Sequence, residues 1–211
     1  MKRHSALLLA CLVLASQPLD ATDAAVEKAD VVVYGGTPAG VMAAIAAARH
    51  GHTVALVDIN AHIGGVVSGR LVASDMGDRA TIGGLSKEFF TRIVKYYADK
   101  YGADSKEFKA CRNGATFEPH VAEFIFEQMI KEQTGIQVWH SCRYRGVLPE
   151  FGRTEGSNRV TALVVDNIAT KTTRTFHGDL FIDASYEGDL MARAGVSYTV
   201  GRESNATYGE P

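Results

Sequence analysis

The sequence predicts an α/β fold: a parallel sheet with flanking helices and a small β-meander. Three observations carry the prediction. Residues 31–34 (VVVY) and 53–57 (TVALV) are short, continuous apolar runs rich in β-branched side chains, the pattern of strands buried on both faces. Between them a glycine-rich loop opens an alanine-rich stretch of strong helix formers. Further on, apolar residues recur at helical spacing at Leu85, Phe89, Ile93 and Tyr97, and again at Val121, Phe124, Ile125 and Met129. With 46% hydrophobic and 22% charged residues among 211, the chain can bury a real core. Its 22 basic side chains against 24 acidic ones give a net charge of -2, no excess to hold a phosphate backbone, so nucleic acid is not an expected partner.

The first segment reads as an address rather than a fold. Lys2 and Arg3 precede an apolar run at residues 6–15 (ALLLACLVLA), too short to cross about 30 Å of hydrocarbon as a helix and matching a secretory signal. Small residues allow a cut after Ala15 or after Ala24, and residues 1–24 are taken as the signal peptide. The expectation is a periplasmic or secreted protein with no membrane attachment after cleavage. Cys11 follows Leu8-Leu9-Ala10, where a bulky leucine disfavours lipidation. Removing it leaves Cys111 and Cys142, either a disulfide in an oxidising compartment or two buried thiols.

The chemistry-bearing unit starts at Asp30. The strand at 31–34 runs into Gly35-Gly36-Thr37-Pro38-Ala39-Gly40, a helix over 39–49 follows, Gly51 stands where a C′ glycine ends it, and the strand at 53–57 closes on Asp58. Strand, glycine loop, helix, strand and acid form the βαβ unit of a Rossmann-like dinucleotide-binding domain. Gly35 permits the tight turn, and Gly40 lets helix and sheet approach. The helix N-terminus offers N–H groups to a pyrophosphate. Asp58, 23 positions after Gly35, stands where a carboxylate takes hydrogen bonds from an adenosine ribose. Thr37 replaces the middle glycine of G-x-G-x-x-G. Its Cβ crowds the phosphate, while its hydroxyl is a donor to a phosphate oxygen. Gly64 and Gly65 follow at once, so backbone there passes close to a ligand; an NAD enzyme does not need this loop, and it tilts the cofactor toward FAD.

The remaining elements agree. Helices are expected near 85–100 and from Pro119 onward. Residues 136–140 read as the third strand of the nucleotide sheet. Residues 159–166 and 173–178 read as two strands of the meander, with Asn167 near their turn. The run 180–189 (LFIDASYEGD) is a strand leading through small residues to a helix at 189–194, which puts Asp183, Glu187 and Asp189 at the carboxyl end of the sheet, where α/β ligands bind. An acidic helix start that favours the dipole is the alternative reading. The histidines show no zinc spacing, and no metal is expected.

The segments DVVVYGGTPAGVMAAIAAARHGHTVALVD, HIGGVVSGRL, FEPHVAE and FIDASYEGDLMARAGVSYTVGRE resemble the FAD-dependent oxidoreductases of the glutathione-reductase-like superfamily often labelled xanthan lyases, with relatives among heterodisulfide reductase flavin subunits. The resemblance covers residues 30–211 and makes Thr37 a usual residue of the GGTPAG loop. It implies FAD held at Gly35, Gly36, Pro38, Ala39, Gly40, Asp58 and Gly65, and a flavin-proximal turn at Asp183 and Asp189 in which Ser185, Tyr186 and Glu187 depart from the family's wording. It implies a small-molecule substrate and an electron acceptor, both undefined. The cysteines give no support to an iron-sulfur cluster. Because residues 195–211 end without a closing element, the chain resembles an N-terminal, dinucleotide-binding portion of such a protein. Two other readings stand beside an exported FAD-dependent oxidoreductase: an NAD-dependent dehydrogenase, and a non-catalytic carbohydrate-associated flavin-binding protein.

Overall fold

The computed structural model describes residues 25–70, 73–149 and 159–209, so the expected signal segment lies outside the described residues. In chain order the strands are β1 (Ala25–Lys28), β2 (Val31–Tyr34), β3 (Val54–Val57), β4 (Ile136–Trp139), β5 (Cys142–Pro149), β6 (Val160–Asn167), β7 (Thr172–His177) and β8 (Leu180–Asp183). The α-helices are α1 (Pro38–Arg49), α2 (Gly65–Gly69), α3 (Gly84–Tyr101), α4 (Lys106–Ala110), α5 (Pro119–Lys131) and α6 (Asp189–Arg193).

Strands β4-β3-β2-β8 form one parallel sheet, in which Val31 pairs with Val54 on one side and Leu180 on the other. Every residue of β2 and β3 is buried, which is why neither run alternates with polar residues. Their side chains split between two cores. Val31, Val33, Val54 and Leu56 face helices α1, α3 and α5, meeting Ile45, Ile93, Phe126 and Met129. Val32, Tyr34, Ala55 and Val57 face the second sheet and meet Leu163, Val165, Phe176 and Leu190. Each large side chain so buried contributes about 1.5–3 kcal/mol. The parallel sheet is therefore the middle layer, with helices on one face and the meander on the other.

The second sheet runs β1-β7-β6-β5, antiparallel through β5, β6 and β7, with β1 parallel to β7. Its turn is built by Asn167, whose Oδ1 accepts from the Ala169 and Thr170 amides at 3.0 and 2.9 Å. The expected two-stranded meander thus has β5 as a third strand. Cys111 and Cys142 are free, buried and in different cores, so no disulfide links them.

Helix ends follow local chemistry. Thr37 caps α1, Pro38 begins it, and Gly51, at φ +87°, lets the chain turn away. Helix α5 begins at Pro119 and buries Val121, Ala122, Ile125, Phe126, Met129 and Ile130. Phe124, expected in that stripe, is 44% exposed and leans on the Tyr96 ring, while Phe126 stacks on Phe89 at 4.5 Å. Arg49, Glu88, Arg92 and Glu132 tie α1, α3 and the end of α5 together through ion pairs of 2.6–2.8 Å.

Candidate functional site

The carboxyl ends of β2, β3 and β8 lie side by side. The Gly35 amide donates to Val57 O at 2.8 Å, and the Ala184 amide to Tyr34 O at 2.8 Å, so the glycine loop is wedged between the ends of its neighbours. Gly35 has φ +109°, and a Cβ there would lie 2.6 Å from the Ala184 carbonyl carbon; conformation and space both require glycine. At Gly36 a Cβ would lie 2.5 Å from Asp58 Oδ2, and at Gly40 it would strike the Gly35 carbonyl oxygen.

Thr37 is only 7% exposed. Its hydroxyl donates to Ala184 O at 2.8 Å and accepts from the Gly40 amide at 3.2 Å. The donor expected to serve a phosphate oxygen instead pins α1 to the end of β8. The Val41 amide donates to Thr37 O, and Pro38 has no N–H, which leaves Ala39 as the first-turn amide not taken by this cap.

Asp58 is 3% exposed, and its Oδ2 has no hydrogen-bond partner among the described residues. Burial pushes its carboxyl pKa up, against the backbone amides of Gly36, Asn60 and Ile59, which pull it down. A buried carboxylate oxygen without a partner is costly in the free protein. It leaves Oδ2 an open acceptor at the edge of the glycine loop.

Gly64 and Gly65 lie against the same loop. The Gly64 amide donates to Gly36 O at 2.6 Å, and α2 begins immediately after, from glycines at φ +94° and +52°. Tyr186, on the turn between β8 and α6, reaches over Gly65 and accepts from the Val66 amide at 2.9 Å. Its involvement was not foreseen; the one signal was a large aromatic in a turn of small residues.

Asp183 sits at the end of β8, but its carboxylate is spent within the chain. Oδ1 accepts from the Ser185 amide and hydroxyl at 2.9 and 2.7 Å, and Oδ2 from the Met191 amide at 2.7 Å. It shapes the turn and ties the first turn of α6 to the end of β8. Asp189 lines the cleft, exposed, as the first residue of α6. His62 is paired with Glu123 at 2.8 Å.

Together these elements enclose a cleft of about 200 Å³, lined by Tyr34, Gly35, Thr37, Asp58, Gly65, Tyr186 and Asp189 among others. Among the described residues its lining includes three carboxylates and no lysine, arginine or histidine, so phosphate oxygens there depend on neutral donors, backbone N–H groups among them. A more open cavity of about 540 Å³ lies at the opposite, amino ends of β2 and β3, beside Asp30 and Thr53, away from the glycine loops.

The buried Asp58 Oδ2, without a partner among the described residues, fits an adenosine ribose hydroxyl, and the Ala39 amide at the start of α1 fits a pyrophosphate oxygen. The architecture is similar to L-proline dehydrogenase from P. horikoshii, at 17% identity and TM-score 0.53 over 83% of this chain and 58% of that one. It is similar to a geranylgeranyl bacteriochlorophyll reductase-like protein from Thermoplasma acidophilum, at 16% identity and TM-score 0.53 over 84% and 44%. A third likeness is to THI4 of Thermovibrio ammonificans, at 17% identity and TM-score 0.51 over 81% and 64%. The chain spans less than two thirds of the length of each of these structures. No curated protein matches the sequence. The family described as FAD dependent oxidoreductase matches residues 30–211, and the chain belongs to that family.

Proposed function

We propose that this chain binds FAD across the carboxyl ends of β2, β3 and β8 and serves an exported oxidoreductase acting on a small-molecule substrate. The observation that carries the reading is Asp58 Oδ2, buried and unpartnered at the edge of the glycine loop. Asp58 accepts the ribose hydroxyls of the adenosine half. Gly35, Gly36, Pro38, Ala39 and Gly40 cradle the pyrophosphate, with the Ala39 amide and the α1 dipole as its electrostatic partners. Gly64, Gly65 and the turn before Asp189 border the continuation of the ligand toward the flavin end. Thr37 and Asp183 position these segments without touching the ligand.

Asp58 also disfavours a 2′-phosphorylated ribose, because a carboxylate repels it and the cleft lining offers no cation among the described residues. The chemistry supplied by bound FAD is two-electron transfer between the substrate and a separate acceptor. Export rests on Lys2, Arg3 and the apolar run at 6–15. N-terminal sequencing of protein recovered outside the cytoplasm tests it: a start after Ala15 or Ala24 supports export, and an intact Met1 in the cytoplasmic fraction contradicts it. For the cofactor, purified protein is titrated separately with FAD and NAD while bound-flavin absorbance and intrinsic fluorescence are followed. Saturable FAD binding is the expected result. Binding of NAD without FAD would replace this reading by that of an NAD-dependent dehydrogenase.

A further inference from the structure

We propose that Tyr186 is a gate on the cleft: without ligand its hydroxyl holds the Val66 amide, and a bound dinucleotide displaces it. The proposal rests on the FAD reading above and adds to it a residue that controls access to the site.

The tyrosine's position sets up the argument. Its hydroxyl oxygen accepts from the Val66 amide at 2.9 Å and occupies the space where a Cβ of Gly65 would project. The phenol oxygen therefore sits on the backbone of the second glycine pair, among the groups that line the dinucleotide cleft. That this cleft receives a polar ligand is indicated independently by Asp58, 3% exposed with an unpartnered Oδ2 in the same lining.

Charge gives the Val66 donor its importance. Among the described residues the cleft lining supplies carboxylates but no cationic side chain, so an oxygen-rich ligand depends on neutral donors, and Tyr186 holds the Val66 amide, next in sequence to the lining residue Gly65. A neutral phenol oxygen accepting from that amide satisfies it in the free protein.

Mobility is built in on one side only. Tyr186 is 60% exposed, so its ring can leave with little apolar area to uncover. The turn beneath it is fixed, because Asp183 accepts from Ser185 and Met191 and the Ser185 hydroxyl accepts from the Gly188 amide at 3.0 Å. Opening is therefore a side-chain rotation on a rigid turn, a fast event that requires no refolding.

The test compares the full-length protein with Y186F and Y186L, using FAD as the probe. In the absence of FAD, exchange of the Val66 amide hydrogen is expected to be faster in both variants than in the wild type. In titrations followed by flavin fluorescence, Y186F is expected to bind FAD about three- to tenfold more tightly, since ligand no longer competes with the internal hydrogen bond. Y186L, which also removes the ring, is expected to show the same gain with faster association. Wild type that binds FAD while both variants bind it equally or more weakly overturns the gate and leaves the cofactor reading standing. Wild type that binds no FAD overturns both.

Discussion

At Asp58 folding and ligand binding pull in opposite directions. Burial raises its folded-state pKa above the unfolded value of 3.8. Between the two values the folded chain holds a proton that the unfolded chain has released. The carboxylate therefore costs stability above its folded pKa, and the cost is relieved as pH falls toward 3.8. Replacing it with the isosteric amide, D58N, is expected to raise the Tm of the ligand-free protein at pH 7. The gain should disappear as pH approaches 4, which thermal melts across that range will show. Glycine positions make the complementary prediction. G35A introduces a Cβ at φ +109° and 2.6 Å from the Ala184 carbonyl carbon, and is expected to destabilise by about 2–4 kcal/mol in chemical denaturation. G36A instead drives its Cβ toward the Asp58 carboxylate, a side chain that can shift, so FAD affinity should fall more than stability does. The places of the glycines and of Asp58 around the loop were legible because they follow from backbone geometry and a fixed spacing. Thr37 and Asp183 were legible only as positions. Thr37 bonds to Ala184, 147 residues away, and that partner decides that its hydroxyl points inward.

At the scale of elements, segments with a continuous apolar run or a helical apolar period could be read from sequence, and those without could not. Helix α1 announced itself by its alanine-rich run of helix formers, and α3 and α5 by apolar spacing, with Pro119 at the start of α5. Strands β1 and β5 did not, because β1 (AVEK) has no apolar run and gains its identity from pairing with β7, and β5 carries Arg143, Arg145 and Gly146 within it. Phe124 and Phe126 illustrate the same limit: either fits an amphipathic pattern, and stacking with Phe89 selects Phe126. The helices are also joined by charge. The Arg49 guanidinium, with Arg92 beside it, holds Glu88 well below the usual carboxylate range, at about 2 against 4.5. Its contribution is therefore complete above pH 4.5 and lost as pH falls toward 2. Allowing for solvent screening of these partly exposed groups, E88Q is expected to cost about 1–2 kcal/mol at pH 7. It should also flatten the acid limb of the stability profile, measured by denaturant titration at several pH values.

At the scale of the molecule, the arrangement is a parallel sheet covered by helices on one face and a meander on the other, with both glycine loops and Asp58 at the carboxyl ends of its strands. Ligand bound there bridges the ends of β2, β3 and β8, and it should stabilise the whole layer by linkage. At FAD concentrations of 100 times the Kd, the gain is about 2.7 kcal/mol, visible as a concentration-dependent rise in Tm. The fold class and the family were legible at this scale because the βαβ unit is local in sequence. The cleft's acidic, cation-free lining was not, since it is assembled from three segments that only the tertiary fold brings together. The central claim is that the unpartnered Asp58 oxygen is where the cofactor is held. The most direct measurement is the ratio of FAD dissociation constants for D58N and the wild type at pH 7. The account predicts a ratio of about 10 or more, the loss of a hydrogen bond to a charged group, alongside an unimpaired melting temperature. Equal affinity in the two proteins would contradict it.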